Sequence, residues 1–312
     1  MRVAPAPRKK SRSSRHALDT VQCYAKIQGY TFLLFNDSSY DCRHKDHFFR
    51  RHCVVSKTAI NYDFTVFIDA DIGVVNPNRR IEEFLDDSKD LIFYDRFWNW
   101  EVAMGSYIVR NTSFAREALM DFANYDLNLP KSFYGNDNGI INRFLVKLLF
   151  PNAQIAMNDC EKMFNKSENF NDVSIFEACF RTILGASQDF GKVRIIRKGH
   201  GWVRDHWLDN SKWNPDLDFM LHDWKEGNLN ETPENVKLAA GSNGGWYNPL
   251  AGPIDLDKCG PLNSTWEYDP RLIADKSEMQ ENHRNYEIYV NSNYIQTLAK
   301  MEELKNRPVS VN

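Results

Sequence analysis

Phe64-Thr65-Val66-Phe67-Ile68-Asp69-Ala70-Asp71 is an almost continuously apolar run that passes without a turn into two carboxylates. Such a run, rich in aromatic and β-branched side chains, predicts a strand covered on both faces. Upstream, residues 16–28 place Leu18, Val21, Ala25 and Ile27 near one helical face, closed by Gly29. Residues 30–35 read as a strand stopped by Asn36-Asp37-Ser38-Ser39, and Asp46 is suited to cap a helix reaching about Tyr62, with Phe49, Cys53 and Ile60 on its buried side. Downstream, residues 79–85 suit a helix, and 91–94 and 106–109 suit strands. Ser113 is placed to cap a helix carrying Phe114, Ala118 and Phe122. A further helix begins near Asp137 with Ile140, Phe144 and Leu148 on one face, and 193–196 is another strand. Strands alternating with helices predict an α/β domain with a mostly parallel sheet flanked by helices. From Trp202 the pattern gives way to irregular Trp-, Gly- and Pro-rich segments, and residues 281–305 read as one polar terminal helix.

Composition narrows the class. The chain has 312 residues, 42% hydrophobic and 26% charged, which supports a sizeable core and excludes global disorder. A net charge of -3 gives no electrostatic reason to expect nucleic acid as a partner. No apolar run is long enough for a membrane-spanning helix. The first fifteen residues hold six basic side chains and no apolar core, so they read as a disordered tail rather than a secretory signal. Cys23, Cys42, Cys53, Cys160, Cys179 and Cys259 include no Cys-x-x-Cys pair, which tells against zinc; their even number allows disulfides and equally six buried thiols. Asn-x-Ser/Thr sequons at Asn36, Asn111, Asn165, Asn230 and Asn263 lean towards a lumenal protein.

In open α/β sheets ligands bind beyond the carboxyl ends of the strands, where Asp69 and Asp71 stand. Two carboxylates side by side repel, and a cation is the natural compensation. Hard oxygen ligands favour magnesium or manganese, ions that commonly share their coordination with substrate phosphates. The other reading is a solvated turn or a helix cap.

Three further segments follow in order: residues 69–77 (Asp-Ala-Asp-Ile-Gly-Val-Val-Asn-Pro), residues 100–111 (Trp-Glu-Val-Ala-Met-Gly-Ser-Tyr-Ile-Val-Arg-Asn) and residues 135–139 (Gly-Asn-Asp-Asn-Gly). Together they resemble the metal-dependent nucleotide-sugar glycosyltransferases of the GT-A fold. The similarity is greatest to a nematode-expanded family related to Golgi galactosyl-, mannosyl- and xylosyltransferases, and it covers about residues 16–225. The resemblance implies a GT-A-like domain over 16–225, after a basic tail at 1–15 and before an irregular C-terminal extension at 226–312. It implies that Asp69 and Asp71 hold Mn2+ (or Mg2+) against the donor diphosphate, with Asp69 also facing the donor. The segment 221–225 (Leu-His-Asp-Trp-Lys) is similar to the family's His-x-x-Gly-x-Lys-type segment, without its glycine. This makes His222 the third metal ligand and Lys225 a diphosphate contact, with His200 a competitor for the histidine role. Residues 50–53 (Arg-Arg-His-Cys) resemble a Lys-Leu-His-Cys segment of glycogenin-like enzymes, which implies that Arg51 touches the donor. Asp137 and Asn138 match a pair beside the transferred sugar, and Glu101, Gly105 and Ser106 match the strand beneath it.

The implied activity is transfer of a hexose or pentose from a nucleotide-diphosphate sugar to a hydroxyl of a glycan or glycoprotein, with retention at the anomeric carbon favoured. The implied setting is the Golgi or secretory lumen, with membrane-anchored relatives. Trp202, Trp207, Trp213 and Trp224 are either an acceptor-stacking platform or core. GT-A sheets open with a strand ahead of the first helix, and none is legible here, so that strand and any upstream anchor are expected to be missing. That gap favours one alternative, a degenerate GT-A-fold protein serving as a binding scaffold. A second alternative is a phosphatase of the haloacid-dehalogenase type. It calls for Thr or Val where Gly73 stands and for a motif after the first strand, whereas a strand already precedes Asp69.

Overall fold

The computed structural model describes residues 2–4, 14–35, 40–238, 245–261 and 266–308. The turn expected at residues 36–39, the sequons at Asn36 and Asn263 and most of the basic tail lie outside the described residues.

In chain order the elements are β1 (Arg2–Ala4), α1 (Arg15–Gln28), β2 (Thr31–Phe32), α2 (His47–Thr58), β3 (Phe64–Ile68), β4 (Gly73–Val74), β5 (Leu91–Tyr94) and β6 (Ser106–Arg110). Then follow α3 (Ser113–Ala123), α4 (Asn136–Leu149), α5 (Gln154–Asn165), α6 (Phe170–Leu184), β7 (Asp189–Phe190), β8 (Val193–Ile196), β9 (Val203–Asp205), β10 (Met220–His222), α7 (Lys276–Leu298) and α8 (Met301–Asn306). Local chemistry sets the boundaries. Gly29 closes α1 in the left-handed conformation, its N–H on the Ala25 and Lys26 carbonyls. Asp46 caps α2 by accepting the Phe48 N–H, and Thr112, rather than Ser113, caps α3. α2 stops at Thr58 in a short 3-10 turn, so Ile60 lies exposed instead of buried. The helix expected at 79–85 is likewise only a 3-10 turn, Ile81–Phe84.

The main sheet has seven strands in the order β2-β1-β3-β6-β5-β8-β7. Three of its pairings are parallel and three antiparallel, so the expected mostly parallel sheet is in fact mixed. The expectation of a missing first strand is also corrected. Arg2–Ala4 pairs in parallel with both β2 and β3, Val3 lying opposite Phe32 and Val66. Its three residues carry no readable alternation, but backbone donors and acceptors suffice to fill a ladder position.

Alternate residues of the strands face two cores. Phe67, Phe93, Tyr107 and Val109 join the core packed by α2 to α6, while Val66, Ile68, Ile92 and Ile108 join a second core with Tyr24, Trp202 and Phe219. The region after Trp202, expected to be irregular, supplies β9 and β10, which join β4 in a three-stranded sheet in the order β4-β10-β9. The cysteines form three disulfides, Cys23–Cys259, Cys42–Cys53 and Cys160–Cys179. Among the described residues no helix is long and apolar enough to cross a membrane.

Candidate functional site

β3 delivers Asp69 to the carboxyl edge of the sheet, and its ladder with β6 continues past the strand, the Asp69 N–H donating to the Gly105 carbonyl at 2.7 Å. A side chain at Gly105 would crowd this contact, since a Cβ there would stand 2.9 Å from Asp69 Oδ2. The chain then turns sharply, Ile72 N–H on the Asp69 carbonyl and Trp224 N–H on the Asp71 carbonyl. β10 pairs antiparallel with β4 and parallel with β9, which swings His222 onto the turn that carries the two aspartates.

His222 Nε2 faces Asp71 Oδ1 at 3.8 Å, and Lys225 Nζ meets Asp71 Oδ2 at 2.8 Å. On the opposite side Arg51 reaches Asp69 Oδ1 and Asp137 Oδ2, each at 2.5 Å. Its guanidinium lies over the rings of Phe48 and Phe67. Asp69, Arg96, Gly105, Asn138, Asp205 and His222 line a small cleft between these groups.

Burial pushes Asp69 up to about 6, with Arg51 opposing and the neighbouring Asp71 and Asp137 adding to the rise. Burial works the same way on Asp71, but His222 and Lys225 outweigh it and hold that carboxyl below its ordinary value. Asp137 is also depressed, because Arg51 and His52 overcome its burial. His52, driven down to about 4 by burial, is neutral at pH 7. Its Nε2–H donates to Asp137 and its Nδ1 accepts from the Tyr107 hydroxyl, at 2.9 and 2.8 Å.

Several expected site residues are therefore together, while others sit behind the cleft. Asp69, Asp71, His222, Lys225 and Gly105 converge. Asn138 lines the cleft, its Oδ1 accepting the Met104 N–H at 3.1 Å. The sugar-facing role expected for Asp137 does not hold: its side chain is fully enclosed and bridges Arg51 and His52. Arg51 is correspondingly committed to two carboxylates. Glu101 lies behind Arg96, to which it is paired at 3.1 Å, and the buried Ser106 accepts the Trp202 indole N–H. His200 is exposed and away from the aspartates, whereas His222 is beside them. Trp202, Trp213 and Trp224 are core, and only Trp207 keeps partial exposure, edge-on to Trp98. Sequence reasoning assigned no role to Asp205. Asp205 accepts from Arg96 at 2.6 Å and from His222 Nδ1 at 2.8 Å, and only the β9–β10 register makes this visible.

Among the described residues no three His, Cys, Asp or Glu side chains, as placed, form a ready metal cage. The donor chemistry nevertheless fits a hard divalent ion. Asp71 Oδ1 and His222 Nε2 face each other, and Asp69 Oδ2 points to the same side as Gly105. Their 3.8 Å separation falls between the roughly 3 and 4.2 Å that separate adjacent and opposite ligands of an octahedral ion bound at about 2.1 Å. Arg96 and Lys225 border the same space, so the arrangement suits a polyphosphate accompanied by a divalent cation.

A family model described as "Protein of unknown function, DUF273" matches residues 21–239. No curated protein matches the sequence. Among solved structures the chain is similar to a glycosyltransferase involved in glycosylation of the major capsid of PBCV-1, at 14% identity and TM-score 0.42, covering 71% of this chain and 92% of that one. It is similar also to the glycosyltransferase GlyE of Streptococcus pneumoniae TIGR4, at 10% identity and TM-score 0.38, covering 100% of this chain and 65% of that one. A third is A197 from STIV, at 11% identity and TM-score 0.26, covering 44% and 73%.

Proposed function

This chain belongs to the DUF273 family, and we propose that it is a glycosyltransferase that moves a sugar from a nucleotide-diphosphate donor to a hydroxyl of a glycan or glycoconjugate. The observation that carries this reading is the convergence of Asp69, Asp71, His222 and Lys225 at the carboxyl end of β3, bordering a cleft floored by glycine.

In the reaction the bond from the anomeric carbon to the diphosphate oxygen breaks, the acceptor oxygen bonds to that carbon, and the acceptor proton leaves with the diphosphate. Asp69, Asp71 and His222 would hold Mn2+ or Mg2+, which would supply Lewis-acid neutralisation of the charge that develops on the diphosphate. Lys225, 41% exposed and paired with both Asp71 and Asp223, holds its ammonium beside the same space, where it would add positive charge next to the phosphates. Asn138 presents its amide nitrogen as a donor to sugar hydroxyls, its oxygen being fixed by Met104. Gly105 lets the sugar approach the β6 backbone. Arg51 fixes the rotamer of Asp69.

A lumenal setting accords with three disulfides joining all six cysteines. The scaffold alternative drew its support from an empty first-strand position, and β1 removes that support.

The test is to incubate the full chain with UDP-galactose, UDP-glucose, UDP-xylose and GDP-mannose, with and without Mn2+, and follow thermal stability and sugar release. A donor that binds raises the apparent stability in proportion to RT ln(1 + [L]/Kd). We expect at least one donor to raise the melting temperature only with Mn2+ and to be hydrolysed, and Asp71→Ala to abolish both effects. Stabilisation by none of the donors, or undiminished hydrolysis in Asp71→Ala, refutes the assignment.

A further inference from the structure

We propose that Asp205 is a positioning residue that sets the tautomer and direction of His222, so that the imidazole Nε2 is presented to the ion shared with Asp71. The inference rests on the metal-site reading above and adds a residue that reading does not contain.

The placement originates in strand register. β9 and β10 run parallel with His222 directly opposite Asp205, and β10 is tied on its other edge to β4, just beyond Asp71. Asp205 is 5% exposed at its side chain, and its Oδ1 lies 2.8 Å from His222 Nδ1. A carboxylate only accepts, so Nδ1 carries the proton at this contact and the far nitrogen keeps its lone pair. That far nitrogen is the atom facing Asp71 at 3.8 Å. Carboxylate–imidazole pairs of this kind hold metal-binding rings in one orientation and raise their basicity, and their loss weakens metal binding about 10- to 100-fold.

Asp205 is itself anchored. Arg96 Nη2 donates to the same Oδ1 at 2.6 Å, and its other arm reaches Glu101 at 3.1 Å. Arg96 Nη2 also lies 3.5 Å from His222 Nδ1. Of the two groups at Nδ1 the carboxylate is much the nearer, at 2.8 Å, and it alone can accept the imidazole N–H. A purely structural Asp205 would need Arg96 alone; the opposing placement of His222 gives the carboxylate a second partner whose free end enters the cleft.

The experiment is a titration of the full chain with Mn2+, alone and with UDP or GDP, read by loss of the free-ion electron paramagnetic resonance signal. Wild type, Asp205→Ala, Asp205→Asn and His222→Ala are compared. Asp205→Ala is expected to weaken Mn2+ binding about 100-fold, approaching His222→Ala. Asp205→Asn keeps an acceptor but loses the charge, and is expected to lose about 10-fold. Wild-type affinity in a folded Asp205→Ala, or in Asp205→Asn should the alanine variant not fold, overturns the inference and leaves the metal site standing. Absence of Mn2+ binding by wild type under all three conditions overturns both.

Discussion

Arg51 is the side chain on which the two sides of the cleft depend. It is 13% exposed, and it neutralises Asp69 and the fully buried Asp137 at once. Removing one partner of a buried ion pair leaves the other charge uncompensated, at a cost of about 3–5 kcal/mol. Arg51→Met keeps the apolar stem on Phe48 and Phe67 while deleting the charge, so a loss of that size is expected in urea unfolding at pH 7. The sign of the pH dependence follows from Asp137. In the wild type its carboxyl is held below the ordinary value, so its contribution is present at neutral pH and fades as pH falls through the depressed range. Without Arg51, burial dominates and raises that carboxyl, so the deficit of Arg51→Met should narrow as pH falls towards 5. A deficit that widens on acidification would contradict the assignment. At this scale the sequence disclosed what depends on residue type and strand position: Asp69 and Asp71 follow directly on β3, and His222 stands on β10 beside Asp71. It could not disclose Asp205 or the true surroundings of Asp137, because both depend on which strand or helix lies opposite.

At the scale of elements, the helices with one apolar stripe were readable, and α1, α2 and α4 stand close to where their periodicity puts them. α5 and α6 went unforeseen. In α6, Val173, Ile175, Phe176, Ala178, Cys179, Phe180 and Leu184 are all buried, a spread too wide to leave a clean polar face at the helical period. Its start is nevertheless well determined, Asn169 accepting the Asn171 and Asp172 N–H groups. What fixes this hairpin is the disulfide Cys160–Cys179, which joins α5 to α6 across 19 positions. Closing a loop of that length restrains the unfolded chain by about 3 kcal/mol. The double variant Cys160→Ser/Cys179→Ser should therefore melt several degrees lower under non-reducing conditions, with the wild type falling towards it on reduction. Equal melting temperatures would show that the two cysteines are not joined in the folded protein.

For the whole molecule, the segment beyond residue 225 is part of the body that shapes the cleft. Trp266 and Tyr268 donate to the Val74 and Val75 carbonyls, directly after the turn that bears Asp71. Trp213 exchanges backbone hydrogen bonds with Leu272 and Ala274, and Cys259 is bonded to Cys23 on α1. His283 on α7 reaches Asp209, which in turn pairs with Arg204 beside Asp205. Few of these ties are periodic, and they link residues as much as 236 positions apart, so a local reading of the sequence had nothing to detect. Their removal should be felt globally. Cutting the chain after residue 238 would strip Leu250, Ile254, Leu272, Ala274, Met279, Tyr286, Val290 and Leu304 from the interior. The larger of these side chains are worth about 1.5–3 kcal/mol each when buried, against a typical net stability of about 5–15 kcal/mol. The truncated chain is therefore expected to lose its cooperative melting transition by calorimetry and to elute as aggregate in size exclusion, although it retains nearly the entire stretch matched by the family model. A sharp transition at the full-length temperature would mean that β4 and β10 hold the cleft without the C-terminal segment.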